Sequence, residues 1–262
     1  MTAMAWILDL DGVIWRGDQP IVGSARAVAR LRAAGEQVWF VTNNALPRRT
    51  EVAEKLAAHG IDPGDEVVTS PMAAASLVAA GERVLACAGA GVVEALIERG
   101  AEVVDAGSAT ADERFDAVVV GLHLDFDYSR MAAAALAVRA GARLVATNDD
   151  TTYPAAGGVL LPGAGSILAS IEAASGATAT VAGKPYAPMA DLVRRLAGPT
   201  GIAVGDRADT DGRFAVALGY PFGLVLTGVT RPEDLPVSPE PDLVAPDLET
   251  LVAQVLGGRS GQ

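Results

Sequence analysis

Short apolar runs alternate with alanine-rich amphipathic stretches along most of this chain of 262 residues. Apolar runs such as 5–8 and 38–41 are typical of buried strands, and the spacing of apolar residues between the runs is typical of helices. This alternation predicts an α/β fold in which helices connect parallel strands. We therefore expect a doubly wound, Rossmann-like sheet at the core of the protein.

Acidic and polar residues stand directly after several of the predicted strands. They are Asp9 and Asp11 after the first strand, Thr42, Asn43 and Asn44 after the second, and Asp206 after a later one. The carboxyl ends of parallel strands meet at one crevice of an open sheet, so we expect these side chains to converge there. The sequence thus predicts a functional site at this edge.

The acidic residues of this set indicate a magnesium site. Residues two apart in an extended backbone point the same way, which predicts that the Asp9 and Asp11 carboxylates lie together. Neighbouring carboxylates repel unless a cation separates them, and Mg²⁺ prefers carboxylate and phosphate oxygens. Asp206 offers a third oxygen ligand, and Gly12 lets the backbone approach a ligand closely.

Composition limits the partners and cofactors that this chain can use. Its 20 basic and 32 acidic residues give a net charge of −12, which disfavours nucleic acid and anionic membranes because like charges repel. Cys87 is the only cysteine, which excludes a disulfide framework and a thiolate zinc site. No apolar stretch approaches the roughly 18 residues of a membrane span, and no signal-peptide pattern is present, so we expect a cytoplasmic protein.

Four short motifs follow one another along the chain: DLDG at 9–12, VTNN at 41–44, GKP at 183–185 and VGDRADTD at 204–211. Each alone is a weak signal, because solvated loops and strand-ending turns contain the same residues. Together and in this order, they resemble the four motifs of the haloacid dehalogenase superfamily of phosphatases. The resemblance runs from about residue 5 to residue 250.

The resemblance implies a role for each motif residue. Asp9 would be the nucleophile that forms an aspartyl-phosphate, and Asp11 would be the general acid and base. The implied phosphate-binding residues are Gly12, Thr42, Asn43 and Lys184. The implied Mg²⁺ ligands are Asp9, Asp11 and Asp206, with Asn44 and Asp211 in supporting positions.

The interval between the second and third motifs predicts an inserted domain. The chain between Thr42 and Lys184 is far longer than a connection that only returns the chain to the sheet. It also has its own alternation of strands and helices. We expect 1–80 and 178–262 to form the catalytic core and 81–177 to form an α/β cap. This placement is similar to class IIA of the superfamily, and the resemblance makes Asn148 and Asp150 candidates for substrate contact in the cap.

These patterns predict a Mg²⁺-dependent phosphatase that hydrolyses small organic phosphomonoesters of the glycerol phosphate or phosphoglycolate class. A covering cap would exclude water and leave little room for a polymer. Class IIA proteins include dimers formed through the cap, so the resemblance makes a homodimer a candidate assembly. His123 stands where class IIA commonly has an acidic residue, and both a structural role and a substrate contact stay open for it.

Three alternative functions are less favoured. A nucleoside-monophosphate or sugar phosphatase of the same fold would need aromatic stacking residues, and Tyr128 and Tyr153 are the only tyrosines of the predicted cap. A phosphate-binding protein without turnover would not need a nucleophile. A nicotinamide-dependent oxidoreductase is disfavoured because the glycines at 89 and 91 lack the third glycine of the dinucleotide fingerprint.

Overall fold

Strands and helices alternate throughout a computed structural model, which describes residues 4–110, 112–154 and 159–259. The strands are β1 (Ala5–Leu8), β2 (Trp15–Arg16), β3 (Gln19–Pro20), β4 (Gln37–Thr42), β5 (Val67–Thr69), β6 (Arg83–Cys87), β7 (Glu102–Asp105), β8 (Ala117–Val120), β9 (Arg143–Ala146), β10 (Thr152–Pro154), β11 (Leu160–Pro162), β12 (Thr180–Val181), β13 (Gly201–Gly205), β14 (Phe222–Val225) and β15 (Leu243–Ala245). The helices are α1 (Ser24–Ala33), α2 (Arg49–Ala58), α3 (Ser70–Ala75), α4 (Ala90–Glu98), α5 (Tyr128–Arg139), α6 (Ala164–Ser175), α7 (Ala187–Ala197), α8 (Arg213–Leu218) and α9 (Leu248–Arg259), with a π-helical turn at Ala208–Gly212. Within the described ranges, no helix is both long enough and apolar enough to cross a bilayer.

The chain divides into two compact units. The first unit contains the chain up to Thr42, the segment Val52–Val68 and the chain from Lys184 onward, and the second contains Asn43–Glu51 and Thr69–Gly183. The second unit includes the whole predicted cap and extends beyond it on both sides, because α3 packs against α4 and β12 pairs with β9. The boundaries at 81 and 177 therefore stay a prediction.

The first unit is built on a six-stranded sheet in the order β15-β14-β13-β1-β4-β5. β1 lies at its centre and pairs in parallel with β13 on one side and β4 on the other, so that Leu8 aligns with Val204 and Phe40. The strand order reverses at β1. Ligands of open α/β sheets bind beyond the carboxyl ends of the strands at such a reversal, so the fold itself points to the residues after β1 and β13.

Apolar side chains cover both faces of this sheet. Trp6 and Leu8 of β1 pack in one cluster with residues of α1, α2 and α9, including Leu31, Leu56 and Leu251. Ile7 between them is buried toward the opposite face, where α8 packs against β13 and α7. Helices on both faces of a parallel sheet confirm the predicted doubly wound core.

The second unit has a parallel sheet of its own, in the order β12-β9-β8-β6-β7. Val119 of β8 aligns with Ala86 of β6 and Val145 of β9. The alanine-rich helices α5 and α6 pack against each other, and their buried residues share a cluster with the strands of the sheet. A short antiparallel hairpin, β10–β11, stands apart from that sheet. The inserted segment is therefore α/β, as the sequence predicts.

Candidate active site

One lysine and three aspartates of the first unit meet beyond the carboxyl ends of the central strands. Asp9 follows β1, Asp206 follows β13, Asp211 lies in the π-helical turn, and Lys184 precedes α7. The Lys184 Nζ donates to Asp9 Oδ1 at 2.6 Å and to Asp211 Oδ1 at 2.7 Å, and its side chain is only 4% exposed. Two carboxylates thus fix the ammonium group at the strand-order reversal.

The three aspartates form a group in which Asp206 and Asp211 are buried and Asp9 is half-buried. Asp9, Asp206 and Asp211 each offer an oxygen, and these oxygens lie within 4.8 Å of one another. Burial and, second, the nearby Asp211 carboxylate raise the pKa of Asp206 to about 7. Burial also raises the pKa of Asp9, although the attraction of Lys184 opposes that shift. Raised pKa values show that the group holds more negative charge than its surroundings stabilise.

Lys184 alone does not neutralise this charge. Burial disfavours its ammonium form, yet the Asp211 and Asp9 carboxylates raise the pKa of Lys184, so it stays protonated. Three neighbouring carboxylates facing one lysine fit a divalent cation, because Mg²⁺ prefers a few carboxylate oxygens completed by water and phosphate. The donor set and its charge therefore suit the predicted cofactor, with Asp9, Asp206 and Asp211 as the residues that would hold it.

Two glycines leave room for the Asp206 carboxylate. Gly12 has a φ of +83°, and a Cβ at this position would lie 2.5 Å from Asp206 Cγ; a Cβ at Gly228 would lie 1.8 Å from Asp206 Oδ2. The Val229 amide donates to the same Oδ2 at 2.5 Å, and the Thr227 hydroxyl donates to the Gly12 carbonyl at 2.6 Å. The loop 227–230 therefore holds Asp206 in place.

This loop is a part of the site that was not predicted from the sequence. Its residues Thr-Gly-Val-Thr follow the apolar strand β14, which is parallel to β13. The same argument that selected the residues after β1, β4 and β13 would have selected them, since the carboxyl ends of parallel strands meet at one edge.

Asp11 is not a member of the carboxylate group. β1 ends at Leu8 and the chain turns at Leu10, whose carbonyl accepts from the Val13 and Ile14 amides, so the alternation of an extended strand does not reach Asp11. The predicted pairing of its carboxylate with Asp9 rested on that alternation. Asp211, predicted only as a support, stands in the group instead, and a metal contact of Asp11 stays a prediction.

The Asp11 carboxyl group instead contacts the hairpin β2–β3. Its Oδ1 accepts a hydrogen bond from the Trp15 Nε1–H at 3.1 Å. Although the residue is exposed, the protein around its carboxyl group removes part of its hydration and raises its pKa, against the attraction of Lys55 and the Trp15 hydrogen bond. The Gly12 amide donates to the Trp15 carbonyl at 2.7 Å, so a phosphate contact of Gly12 also stays a prediction.

The residues after β4 divide between the two units. Thr42 ends β4 and is buried in the first unit. The Asn43 carbonyl, in the second unit, accepts from Ser70 Oγ at 2.7 Å and from Asn148 Nδ2 at 2.8 Å. Asn44 Oδ1 accepts from the Leu46 amide at 3.2 Å, as in a turn.

Both cap candidates are hydrogen-bonded to Asn43. The Asn43 Nδ2 donates to Asp150 Oδ2 at 3.2 Å, and the Asp150 amide donates to Asn148 Oδ1 at 3.2 Å. Asn148 is buried, its Nδ2 donates to the Asn43 carbonyl, and its Oδ1 accepts from the Asp150 amide. Asn148 therefore positions both residues. Substrate contacts of these two residues stay predictions.

His123 is buried in the loop after β8. Its Nδ1 accepts a hydrogen bond from the Asp125 amide at 3.2 Å. This contact shapes the loop, which supports the structural alternative for His123.

Two family profiles match this chain. One, described as haloacid dehalogenase-like hydrolase, covers residues 6–102, and the other, described as HAD-hydrolase-like, covers residues 181–251. The four motifs lie within these two stretches.

Individual relatives match over most of the chain. D-glycerol 3-phosphate phosphatase of Mycobacterium tuberculosis is 42% identical over 87% of this chain, which spans 64% of that relative's length. A solved structure of glycerol phosphate phosphatase from the same organism, in complex with magnesium, has a TM-score of 0.85 and 38% identity over 95% of this chain and 76% of its own. Acid sugar phosphatase of Staphylococcus saprophyticus is 34% identical over 88% of this chain and 89% of its own. The p-nitrophenyl phosphatase of Archaeoglobus fulgidus has a TM-score of 0.88 and 30% identity over 97% of this chain and 100% of its own.

The similarity includes the inserted α/β segment as well as the sheet that holds the motifs, because the matched structures cover nearly the full chain. The resemblance inferred from four motifs is thereby confirmed. The chain belongs to the haloacid dehalogenase-like hydrolases, among the class IIA phosphatases.

Proposed function

We propose that this protein is a Mg²⁺-dependent phosphatase that hydrolyses small organic phosphomonoesters through an aspartyl-phosphate on Asp9. The observation that carries the proposal is the buried contact of Lys184 with Asp9 and Asp211, beside Asp206, at the reversal of the strand order. The proposed nucleophile, a fixed ammonium group and the proposed metal ligands thus meet at one point.

Asp9 is the proposed nucleophile. One of its oxygens forms a bond to phosphorus while the ester P–O bond breaks, which divides one difficult displacement into two easier ones. Asp11 gives a proton to the departing alkoxide and later takes one from the attacking water. Asp9, Asp206 and Asp211 would hold the Mg²⁺, which would supply the positive charge that a phosphate dianion needs to approach these carboxylates.

Lys184, the Thr42 hydroxyl and the backbone amide of Asn43 are the proposed phosphate ligands. Lys184 is already held at 2.6 Å from the nucleophile, so its charge is in place before the phosphate oxygens arrive. Asn44 supports this segment through its turn, and Asn148 supports Asn43 from within the second unit. We propose Asp150 as a selectivity residue, because it is bonded to Asn43, the neighbour of Thr42 in the chain.

The glycerol phosphate class is the substrate class we propose. The name of the Mycobacterium tuberculosis relative supports it, and the name of the Staphylococcus saprophyticus relative supports a sugar phosphate as the second candidate. We also propose a small-molecule partner rather than nucleic acid or an anionic membrane, since the net charge is −12. A cytoplasmic location and a homodimer stay predictions, for cell fractionation and sedimentation to test.

Phosphate release tests the proposal. The panel contains sn-glycerol 3-phosphate, phosphoglycolate, a sugar phosphate, a nucleoside monophosphate and 4-nitrophenyl phosphate, each with Mg²⁺ or with chelator. We expect release that the chelator abolishes and that Asp9→Asn lowers by at least about a thousandfold, because the nucleophile is lost.

Asp209→Asn is the matched control for this experiment. Its side chain is exposed and paired with Arg207, so the same change should leave the rate near that of the wild type. Wild-type rates in the Asp9→Asn protein would overturn the mechanism. The ranking of the panel decides between the glycerol phosphate and sugar phosphate classes.

A further inference from the structure

We propose that Trp15 and Lys55 are positioning residues that hold the Asp11 carboxyl group in place for its proton transfers. The inference rests on the proposed function, because Asp11 needs a fixed orientation only if it exchanges protons with the leaving group and water. The four motifs assign no role to either residue. Lys55 is one of only two lysines in the chain, and Lys184 is the other.

Trp15 makes the direct contact. It begins the hairpin β2–β3, its side chain is buried, and its Nε1–H donates to Asp11 Oδ1 at 3.1 Å. A backbone hydrogen bond links the same two segments, because the Gly12 amide donates to the Trp15 carbonyl at 2.7 Å. A buried ring therefore anchors a carboxyl group that is itself exposed.

Lys55 holds the ring and the turn of the same hairpin. Its Nζ lies 4.6 Å from the centroid of the Trp15 ring, within the range of a cation–π contact. The same Nζ donates to the Gly17 carbonyl at 2.7 Å and to Asp18 Oδ1 at 3.2 Å. One ammonium group on α2 thus ties the turn at 17–18 to the indole that carries Asp11.

The Trp15 hydrogen bond is not a general property of buried tryptophans in this unit. Trp6 belongs to the same apolar cluster and is fully buried, yet among the described residues its Nε1 has no hydrogen-bond partner. A buried indole N–H is thus accommodated in this unit without such a contact. The hydrogen bond of Trp15 is therefore a specific contact with the carboxyl group that the mechanism uses.

The contact leaves one oxygen of the carboxyl group for proton transfer. An indole N–H donates and cannot accept, so it occupies Oδ1 and leaves Oδ2 as the atom that gives and takes the proton. In the first step an Asp9 oxygen bonds to phosphorus, the ester P–O bond breaks, and the Oδ2 proton moves to the departing oxygen. In the second step Oδ2 takes a proton from water while the water oxygen bonds to phosphorus and the Asp9–phosphorus bond breaks. Holding Oδ1 keeps Oδ2 in one orientation for both steps.

A comparison of leaving groups tests the proposal. sn-Glycerol 3-phosphate releases a strongly basic alkoxide that needs a proton, whereas 4-nitrophenyl phosphate releases a stabilised anion that does not. Trp15→Phe keeps a ring under Lys55 and removes the N–H donor. We expect it to lower kcat/KM for glycerol phosphate about tenfold and for nitrophenyl phosphate by less than about twofold, since only the first reaction depends on general acid catalysis.

Trp6→Phe is the matched control, because it removes an indole N–H that has no partner from the same cluster. It should change both kcat/KM values by the same factor. Lys55→Met tests the second residue without touching the core, and we expect a shift of the substrate ratio of about threefold in the same direction. Lys55→Arg keeps a cation over the ring and should restore most of the wild-type ratio.

The outcomes separate this inference from the proposed function. If wild-type protein releases phosphate from both substrates but Trp15→Phe keeps the ratio of Trp6→Phe, the positioning role is wrong while the phosphatase activity stands. If Trp15→Phe does not fold, an unchanged ratio in Lys55→Met overturns the role, and a shifted ratio that Lys55→Arg restores supports it. If the wild type releases phosphate from neither substrate, both proposals fail together.

Discussion

At the residue scale, the site depends on side chains that fit only because their neighbours are small or oppositely charged. Asp206 lies against Gly12 and Gly228, where a single methyl group would overlap its carboxyl group. Lys184 lies between Asp9 and Asp211, where a wide planar guanidinium could not replace a compact ammonium at two distances below 3 Å. The neighbouring residues therefore determine both the charge of the group and the space that its side chains have.

Gly228→Ala tests the close packing of Asp206. A Cβ would lie 1.8 Å from Asp206 Oδ2, so the carboxylate or the loop must move. We expect the Mg²⁺ concentration for half-maximal activity to rise about tenfold or more, in the range that losses around metal ligands produce. Gly257→Ala is the control, because nothing lies within 4 Å of a Cβ at that position in α9. Equal Mg²⁺ dependence in the two variants would contradict the packing argument.

Residue identities at the site were largely predictable, but their arrangement was not. Asp9 and Asp206 meet as the strand ends predict, and Lys184, which the resemblance alone singled out, lies with them. The place of Asp11 depends on a turn at Leu10 that leaves no pattern in the sequence, and the engagement of Asn148 with Asn43 depends on side-chain hydrogen bonds across a separation of 105 positions. Local patterns carry no information about contacts at that distance.

At the element scale, long buried strands and amphipathic helices were predictable, and short or uniformly apolar elements were not. β1 and β4 were predictable from their apolar runs, but the hairpins β2–β3 and β10–β11 were not, because their strands are too short for an alternating pattern. Helix α5 was also not predicted, because its alanine-rich segment has no clear apolar stripe. The signal that could have found α5 is Asp127, a residue type that favours the start of a helix.

Asp127→Ala tests this N-cap. The Asp127 carboxylate accepts from the Arg130 amide at 2.8 Å, which satisfies one of the free N–H groups at the start of α5. We expect a loss of about 1 kcal/mol in the free energy of unfolding, measured by urea denaturation. The same change at exposed Asp125, two residues earlier, serves as the control and should cost much less. A result in which the two variants are equally stable would show that the cap contributes nothing.

At the scale of the whole molecule, folding concentrates negative charge that the unfolded chain would spread out. The chain carries a net charge of −12, and the fold brings three of its aspartates together in one group. The pKa of Asp206 is raised from 3.8 to about 7, so between these pH values the folded state binds more protons than the unfolded state. Stability from this group is therefore present at low pH and is lost as the pH rises toward 7.

Thermal unfolding at two pH values tests this linkage. At about pH 8 the group is ionised and repulsive, and a divalent cation relieves the repulsion, whereas at about pH 5.5 the cation must first displace protons. We expect millimolar Mg²⁺ to raise the Tm more at the higher pH than at the lower. Asp206→Asn should reduce the difference between the two shifts. Equal shifts at both pH values in the wild type would contradict the assignment of the cation to this group.

The proposed mechanism forms a covalent phosphoryl group on Asp9, and chemical trapping would detect that group. Protein mixed with substrate is quenched with acid. Borohydride then reduces an acyl phosphate at an aspartate to homoserine. Fragment masses of the peptide that ends at Arg16 locate the modified residue. We predict homoserine at position 9 in the wild type, more of it in Asp11→Asn, which lacks the base for the second step, and none in Asp9→Asn. Turnover by the wild type with no modification at position 9 in either the wild type or Asp11→Asn would contradict the account.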